Sequence, residues 1–162
     1  MCVEIYGYRD QAYEKMEYYA ELLGWTPGQR NAFRHAYGTA LIAWNYGSST
    51  AVEFTNRHEQ DTPKATLWEQ WDSDTDIWNN SIGVGLVDRA KSFTYAARPG
   101  QDVDQIDFAD IEAQLVAMAT CECAGSFDSR LLLAAPISPS SFTVDKFGQV
   151  TYLALDTEIQ SG

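Results

Sequence analysis

The spacing of apolar residues in the first part of the chain constrains the fold most strongly, because it repeats with the period of an α-helix. Between residues 10 and 23 the apolar and aromatic positions recur every three or four residues, at Tyr13, Met16, Ala20 and Leu23. Gly24 follows this segment, where glycine commonly ends a helix. The pattern predicts a first helix with one buried stripe.

Two short sequences with the form of a capping box predict the next two helices. TPGQ at residues 26–29 puts a capping threonine before a proline at the first helical position, and this helix should continue to Tyr46. TAVE at residues 50–53 has the same form and predicts a short third helix that reaches about Glu59. Pro63 follows and forbids its continuation.

The rest of the chain predicts two more helices and a small β-structure. A helical turn at residues 68–71 should precede a fourth helix over about 74–96, which begins in the acidic segment 72–76. Asp107 should cap a fifth helix that reaches about residue 123. β-rich runs around KFG at 146–148 predict a hairpin over about 141–155.

These elements together predict a mainly α fold, in which about five helices pack around one core and a small C-terminal β-hairpin follows. We treat residues 1–162 as a single helical domain whose functional motifs lie within about 27–90. Gly83 and Gly85 fall inside the fourth helix, where glycine costs about 1 kcal/mol relative to alanine. We therefore expect another part of the chain to approach the backbone closely at these two positions.

Charge and cysteine content restrict the class of partner and the compartment. The chain has 11 basic and 23 acidic residues and a net charge of −12, which repels phosphate backbones, so no nucleic acid partner is expected. No segment has the length and apolarity of a membrane span, and the N-terminus lacks a cleavable signal. The protein is expected to be cytoplasmic, part of a larger protein, or exported by another route. Cys2, Cys121 and Cys123 are expected to be buried free thiols.

Two polar faces at helical spacing form the candidate functional site. Asn31, Arg34, His35 and Gly38 should share one side of the second helix, because residues three and four apart are neighbours. The fourth helix repeats this spacing with a second polar set, which consists of Asp76, Asn79, Asn80 and Gly83. The third helix ends with His58 and Glu59. We expect these polar groups to meet and to be paired, because part of the face is predicted to be buried.

Such a cluster permits general acid-base catalysis, in which a histidine moves protons while a carboxylate orients it. The predicted catalytic residues are His35, His58, Asp76 and Glu59. The predicted substrate-binding residues are Asn31, Arg34, Asn79 and Asn80. The same groups could clamp an anion or bind a divalent metal, but no spacing here matches an established zinc or calcium signature, so no metal site is predicted. No cofactor can be named, and a purely structural network, with Arg34 and Asp76 as a buried ion pair, is the alternative.

The motifs also resemble an uncharacterised family of bacterial domains. NAFRHAY at 31–37, HE at 58–59 and D-x-x-N-N-x-x-G at 76–83 resemble the family pattern N-A-F-R-H-A-Y-W, H-E and D-x-H-N-N-x-x-G. Domains of that family are often found in secreted proteins or at the C-terminal ends of polymorphic toxins. Gly38 stands where the family usually has tryptophan, and Trp78 stands where it usually has histidine. If that histidine serves as a metal ligand or catalytic base, this chain is a divergent or inactive member.

The resemblance implies a bacterial secreted or toxin-type effector domain, which we expect to act as a hydrolase with His35 as general acid or base. A cognate immunity protein would then be its partner. The alternative is a non-enzymatic acidic binding module, such as an immunity, adaptor or phage-encoded interaction protein, that captures a basic protein. The sequence leaves the substrate and the bond attacked open.

Overall fold

The computed structural model describes residues 2–96 and 107–120, which form five α-helices and contain no strand. They are α1 (Cys2–Leu23), α2 (Pro27–Tyr46), α3 (Ser48–Asp61), α4 (Leu67–Ala96) and α5 (Phe108–Thr120). The predicted mainly helical fold is therefore confirmed. The predicted hairpin, Cys121 and Cys123 lie outside the described residues. None of the described helices combines the length and the apolarity needed to cross a lipid bilayer.

Helix α2 lies at the centre and packs against each of the other four helices, most extensively against α4. One side of α2 carries large aromatic rings. Phe33 stacks on Tyr37 with ring centroids 5.1 Å apart, and Tyr37 meets Phe108 of α5 edge-on at 5.6 Å. Phe33 and Tyr37 are fully buried, so this face forms the apolar core.

The opposite side of α2 carries small side chains at Ala36 and Ala40, and Gly83 allows α4 to lie close against it. A Cβ atom at residue 83 would stand 2.1 Å from the carbonyl oxygen of Ala36 and 3.1 Å from the amide nitrogen of Ala40. The expected close backbone approach is confirmed at Gly83. The same expectation is wrong at Gly85, because no atom lies within 4 Å of a Cβ placed there.

Helix α1 begins eight residues earlier than the apolar spacing indicated, at Cys2. Ile5 is 2% exposed and extends the buried stripe of Met16 and Ala20 toward the N-terminus. Tyr13 and Leu23 were predicted to belong to that stripe, but each is 42% exposed. The three- and four-residue spacing therefore identified the helix but misplaced the edge of its buried face.

The capping prediction is confirmed for α2 and wrong for α3. Thr26 Oγ1 accepts a hydrogen bond from the Gln29 amide, and Gln29 Oε1 accepts one from the Thr26 amide. Helix α3 instead begins at Ser48 after Gly47, without a side-chain cap. Thr50 therefore lies inside α3 and cannot act as its N-cap.

Helix α4 is continuous from Leu67, so the acidic segment 72–76 lies within it and does not mark its start. Its N-terminus is capped by a pair that sequence analysis passed over. The Glu69 amide donates to Thr66 Oγ1 at 3.2 Å, and the Thr66 amide donates to Glu69 Oε2 at 3.0 Å. TLWE at 66–69 thus forms the capping box, and it merges the predicted helical turn at 68–71 with the long helix.

Candidate functional site

The polar faces of α2 and α4 meet as the helical spacing predicted. Asn31 Nδ2 donates to Asp76 Oδ1 at 2.9 Å, and His35 Nε2 lies 3.2 Å from the same oxygen. One turn further along both helices, His35 Nδ1 lies 3.3 Å from Asn80 Oδ1. Because residues 31 and 35 and residues 76 and 80 are each four apart, the two faces match turn for turn.

The cluster is largely shielded from solvent. The side chains of His35 and Asp76 are 16% and 9% exposed, and Asn80 is 3% exposed as a residue. Asn79 is completely buried in α4. It cannot contact a substrate unless the helices separate, so its position fits a structural role better than the predicted substrate-binding role.

The hydrogen bonds around Asn80 and Arg34 favour one tautomer of the His35 imidazole. Thr39 Oγ1 donates to Asn80 Oδ1 at 2.8 Å, so this oxygen acts as an acceptor. His35 Nδ1 then carries the proton and donates to the same oxygen, a tautomer inferred from the network. The Nε2 atom of His35 keeps its lone pair, and Arg34 Nη2 lies 3.0 Å from it as a donor.

The charge state of His35 follows from its surroundings. Burial, and then the positive charge of Arg34, lower the pKa of His35 to about 3, against an opposing contribution from the Asn80 hydrogen bond. The 3.2 Å contact between His35 and Asp76 has the distance of an ion pair. Because the imidazole is neutral at neutral pH, this contact is not an ion pair there. A group with so low a pKa accepts protons weakly at neutral pH. This environment favours roles that use a neutral imidazole lone pair.

Arg34 connects the cluster to the surface. Its Nη1 donates to the Tyr13 hydroxyl at 2.6 Å, and its guanidinium carbon lies 4.9 Å from the centroid of the Tyr13 ring. Its Nη2 also donates to Asn31 Oδ1. Tyr13 and Thr39 are thus two members of the site that sequence analysis missed. Thr39 could have been found from its four-residue spacing to His35, whereas Tyr13 is brought in from α1 by packing alone.

Helix α3 supplies the remaining predicted residues. His58 is exposed, and its charge lies near enough to contribute to the lowered pKa of His35. Glu59 is half-buried, and one of its carboxylate oxygens, an oxygen of Asp76 and a ring nitrogen of His35 all lie within 4.8 Å of one another. An imidazole and two carboxylates are ligand types that divalent metal ions accept.

Gly38 and Trp78 are the two positions at which the sequence departs from the pattern that it resembles. A Cβ atom at Gly38 would stand 3.4 Å from Cβ of Ala12, so Gly38 faces α1 and not the polar face on which helical spacing placed it. Trp78 is half-buried and packs against the apolar core.

A second polar cluster, absent from the sequence predictions, fixes α5 to α1 and α2. Glu112 Oε1 accepts hydrogen bonds from Lys15 Nζ at 2.8 Å and from the Tyr19 hydroxyl at 2.5 Å, while its Oε2 accepts from the Tyr37 hydroxyl at 3.1 Å. Burial alone would raise the pKa of Glu112, but the hydrogen bonds from Lys15 and Tyr19 hold it below its usual value. Both oxygens are thus satisfied by neighbouring helices, which is the arrangement of a structural clamp.

Fold and site together define a small helical domain with a half-buried His, Asp, Glu and Arg cluster between three helices. The chain belongs to the domain family DUF6973, a domain of unknown function, whose model matches residues 1–104. The match spans α1 to α4 and contains every predicted site residue, which confirms the resemblance to an uncharacterised domain family. Comparison with curated proteins and with solved structures gives no match.

Proposed function

We propose that this chain is a hydrolase domain of the bacterial secreted or toxin-type effector class, with His35, Asp76 and Glu59 as its water-activating centre. The observation that supports this most directly is the convergence of their nitrogen and oxygen atoms within 4.8 Å. These three groups come from three different helices, and Arg34 reaches the same point. A merely structural ion pair would need only two of them.

The groups around this centre suggest how a hydrolytic step would run. A water held against His35, Asp76 and Glu59 loses a proton to the exposed imidazole of His58. Its oxygen forms a bond to the electrophilic carbon or phosphorus of the substrate, the bond to the leaving group breaks, and the leaving group takes a proton from His58. The Arg34 guanidinium stabilises the negative charge that develops on the substrate.

Two further residues would position the centre without touching the substrate. Asn31 donates to Asp76 Oδ1 at 2.9 Å and fixes that carboxylate. Asn80 Oδ1 accepts a hydrogen bond from His35 Nδ1 and fixes the imidazole. Pre-positioned groups of this kind contribute to catalysis because they need not reorganise during the reaction.

Bacterial growth tests the proposal. Cells would express the chain in the cytoplasm or, with an added export signal, in the periplasm, beside His35→Gln and Asp76→Asn. Asp72→Asn serves as the matched control, because Asp72 is exposed on the same helix as Asp76. Correct folding of each variant is verified by circular dichroism and by its unfolding midpoint.

We expect the wild type and Asp72→Asn to arrest growth in one compartment, while the two site variants remain harmless. The toxic compartment then locates the substrate. If all four folded proteins are harmless in both compartments, the toxin-type proposal fails. The acidic binding module then becomes the better explanation, and it predicts a basic partner whose affinity falls steeply with added salt.

A further inference from the structure

We infer that His35, Asp76 and Glu59 form a binding site for a divalent transition-metal ion, with Zn²⁺ as the ion that suits its ligands. This inference deepens the proposed function, and its catalytic consequence rests on that proposal. Binding of the ion itself does not depend on it, so the two can be tested separately.

The separation of the ligand atoms fits such an ion. Zinc bound to nitrogen and oxygen at about 2.1 Å in a tetrahedral site places its ligand atoms about 3.4 Å apart. His35 Nε2 and Asp76 Oδ1 are already 3.2 Å apart. The carboxylate of Glu59 lies within 4.8 Å of both groups, and its half-buried side chain in the last turn of α3 can close the remaining gap by rotation.

The tautomer of His35 is the one that metal ligation requires. Histidine ligands bind through one nitrogen and donate the other N–H to an oxygen that fixes the ring. Asn80 Oδ1 accepts a hydrogen bond from His35 Nδ1 here, and the Thr39 hydroxyl, which donates to the same oxygen, holds Asn80 in that orientation. The Nε2 lone pair is therefore directed toward Asp76. Asn31 holds the Asp76 carboxylate in the same supporting way.

The charge balance of the cluster also calls for a cation. Two carboxylates lie beside the His35 imidazole in a largely shielded position, and shielded negative charge is costly unless positive charge compensates it. Arg34 provides one such positive charge, and its Nη2 lies 3.0 Å from His35 Nε2. Because Arg34 is also bonded to Tyr13 at the surface, its guanidinium can withdraw toward Tyr13 when an ion binds. Arg34 and the ion therefore compete for Nε2.

The composition of the site indicates both the ion and its use. An imidazole ligand favours zinc, copper, iron or nickel over magnesium, calcium and manganese, which suit oxygen ligands. Three protein ligands leave a further coordination position open, as in catalytic zinc sites. A bound divalent cation would supply positive charge to polarise water and substrate.

Metal titration tests the site directly. Because cysteine thiolates bind zinc strongly, the protein is used in a background in which all three cysteines are changed, by Cys2→Ser, Cys121→Ser and Cys123→Ser. It is stripped with a chelator, and binding of ZnCl₂ and MgCl₂ is measured by isothermal titration calorimetry. Binding of CoCl₂ is followed by its visible absorption bands, which report the coordination geometry independently of activity.

We expect one Zn²⁺ ion per chain and far weaker Mg²⁺ binding. Glu59→Gln, Asp76→Asn and His35→Gln should each weaken zinc binding by more than about tenfold, because loss of a residue that only hydrogen-bonds to a metal ligand already costs about 10–100-fold. Asp72→Asn should leave zinc binding unchanged. Glu59→Gln is the most informative variant, because Glu59 is only half-buried and its substitution should disturb the fold least. Arg34→Gln should strengthen binding, because it removes the competing cation.

Absence of a stoichiometric zinc site in the folded protein, or equal affinity in wild type and Glu59→Gln, would overturn the inference. Failure of the hydrolase proposal looks different. If the protein binds zinc through these residues but is harmless in both compartments, the metal site is supported and the proposed function fails. If its toxicity depends on His35 but it binds no metal, only the metal site fails.

Discussion

The close contact between α2 and α4 makes a sharp prediction for the substitution of one glycine. In Gly83→Ala the new Cβ atom would stand 2.1 Å from the carbonyl oxygen of Ala36, although Cβ atoms in proteins essentially never come within 3.0 Å of such atoms. The obstructing atoms are backbone, not the flexible end of a side chain. The two helices must therefore separate by about 1 Å to accept a single methyl group.

Two opposing effects set the size of the change. Alanine is favoured over glycine in a helix interior by about 1 kcal/mol. Overpacking a well-filled interface typically costs about 1–3 kcal/mol and sometimes more. Because Gly83 meets backbone that can move only with its whole helix, we expect the upper end of that range and a net loss of about 2 kcal/mol in the free energy of unfolding.

The matched control is Gly85→Ala on the same helix. A Cβ atom at residue 85 meets nothing within 4 Å, so only the helix preference applies, and we expect stabilisation by up to about 1 kcal/mol. Urea unfolding followed by circular dichroism measures both variants beside the wild type. If Gly83→Ala is as stable as Gly85→Ala, the two helices are not in backbone contact, and the reasoning is refuted.

Two further predictions concern contacts outside the site. Glu112→Gln should lower the free energy of unfolding by about 1–3 kcal/mol at neutral pH, because it removes a charged acceptor of three hydrogen bonds. The pKa of Glu112 is lowered from 4.5 in the folded state. This contribution to stability is therefore present above pH 4.5 and is lost as the pH falls through the lowered pKa. A stability difference between wild type and Glu112→Gln that grows in acid would contradict the prediction. Thr26→Ala removes the cap of α2 and should cost about 1 kcal/mol in urea unfolding, and an unchanged midpoint would show that the cap contributes nothing.

Local signals in the sequence were sufficient for the parts of the fold that depend on neighbours along the chain. The capping box at Thr26 and Gln29 formed as predicted, because both partners lie within one helical turn. The same holds for Asp107, whose Oδ1 accepts from the amide of Asp110. TAVE at 50–53 has the same form but lies inside α3, because packing of the helix allowed it to begin earlier at Ser48.

The site shows the same division between local and long-range information. Helical spacing was enough to predict that Asn31 and His35 share one face and that Asp76 and Asn80 share another. It could not predict that Glu59 would approach them, because the angle between α3 and α2 depends on tertiary packing. Metal signatures read from sequence rely on fixed spacings, so the proposed ligand set, which comes from three helices, carries no such signature.

The geometry of α2 and α4 also connects stability to the site. Asp76 and Asn80 are buried polar groups, and burial of such groups costs free energy unless their hydrogen bonds are formed. Their partners, Asn31 and His35, lie on α2, so these hydrogen bonds exist only while the helices remain close. Gly83 lies one turn beyond Asn80 and sets that distance. A separation of about 1 Å would lengthen the 3.3 Å contact between His35 and Asn80 beyond hydrogen-bond range, and the imidazole would lose the partner that fixes its tautomer. Gly83→Ala should therefore weaken any zinc binding even where the fold survives, whereas Gly85→Ala should not.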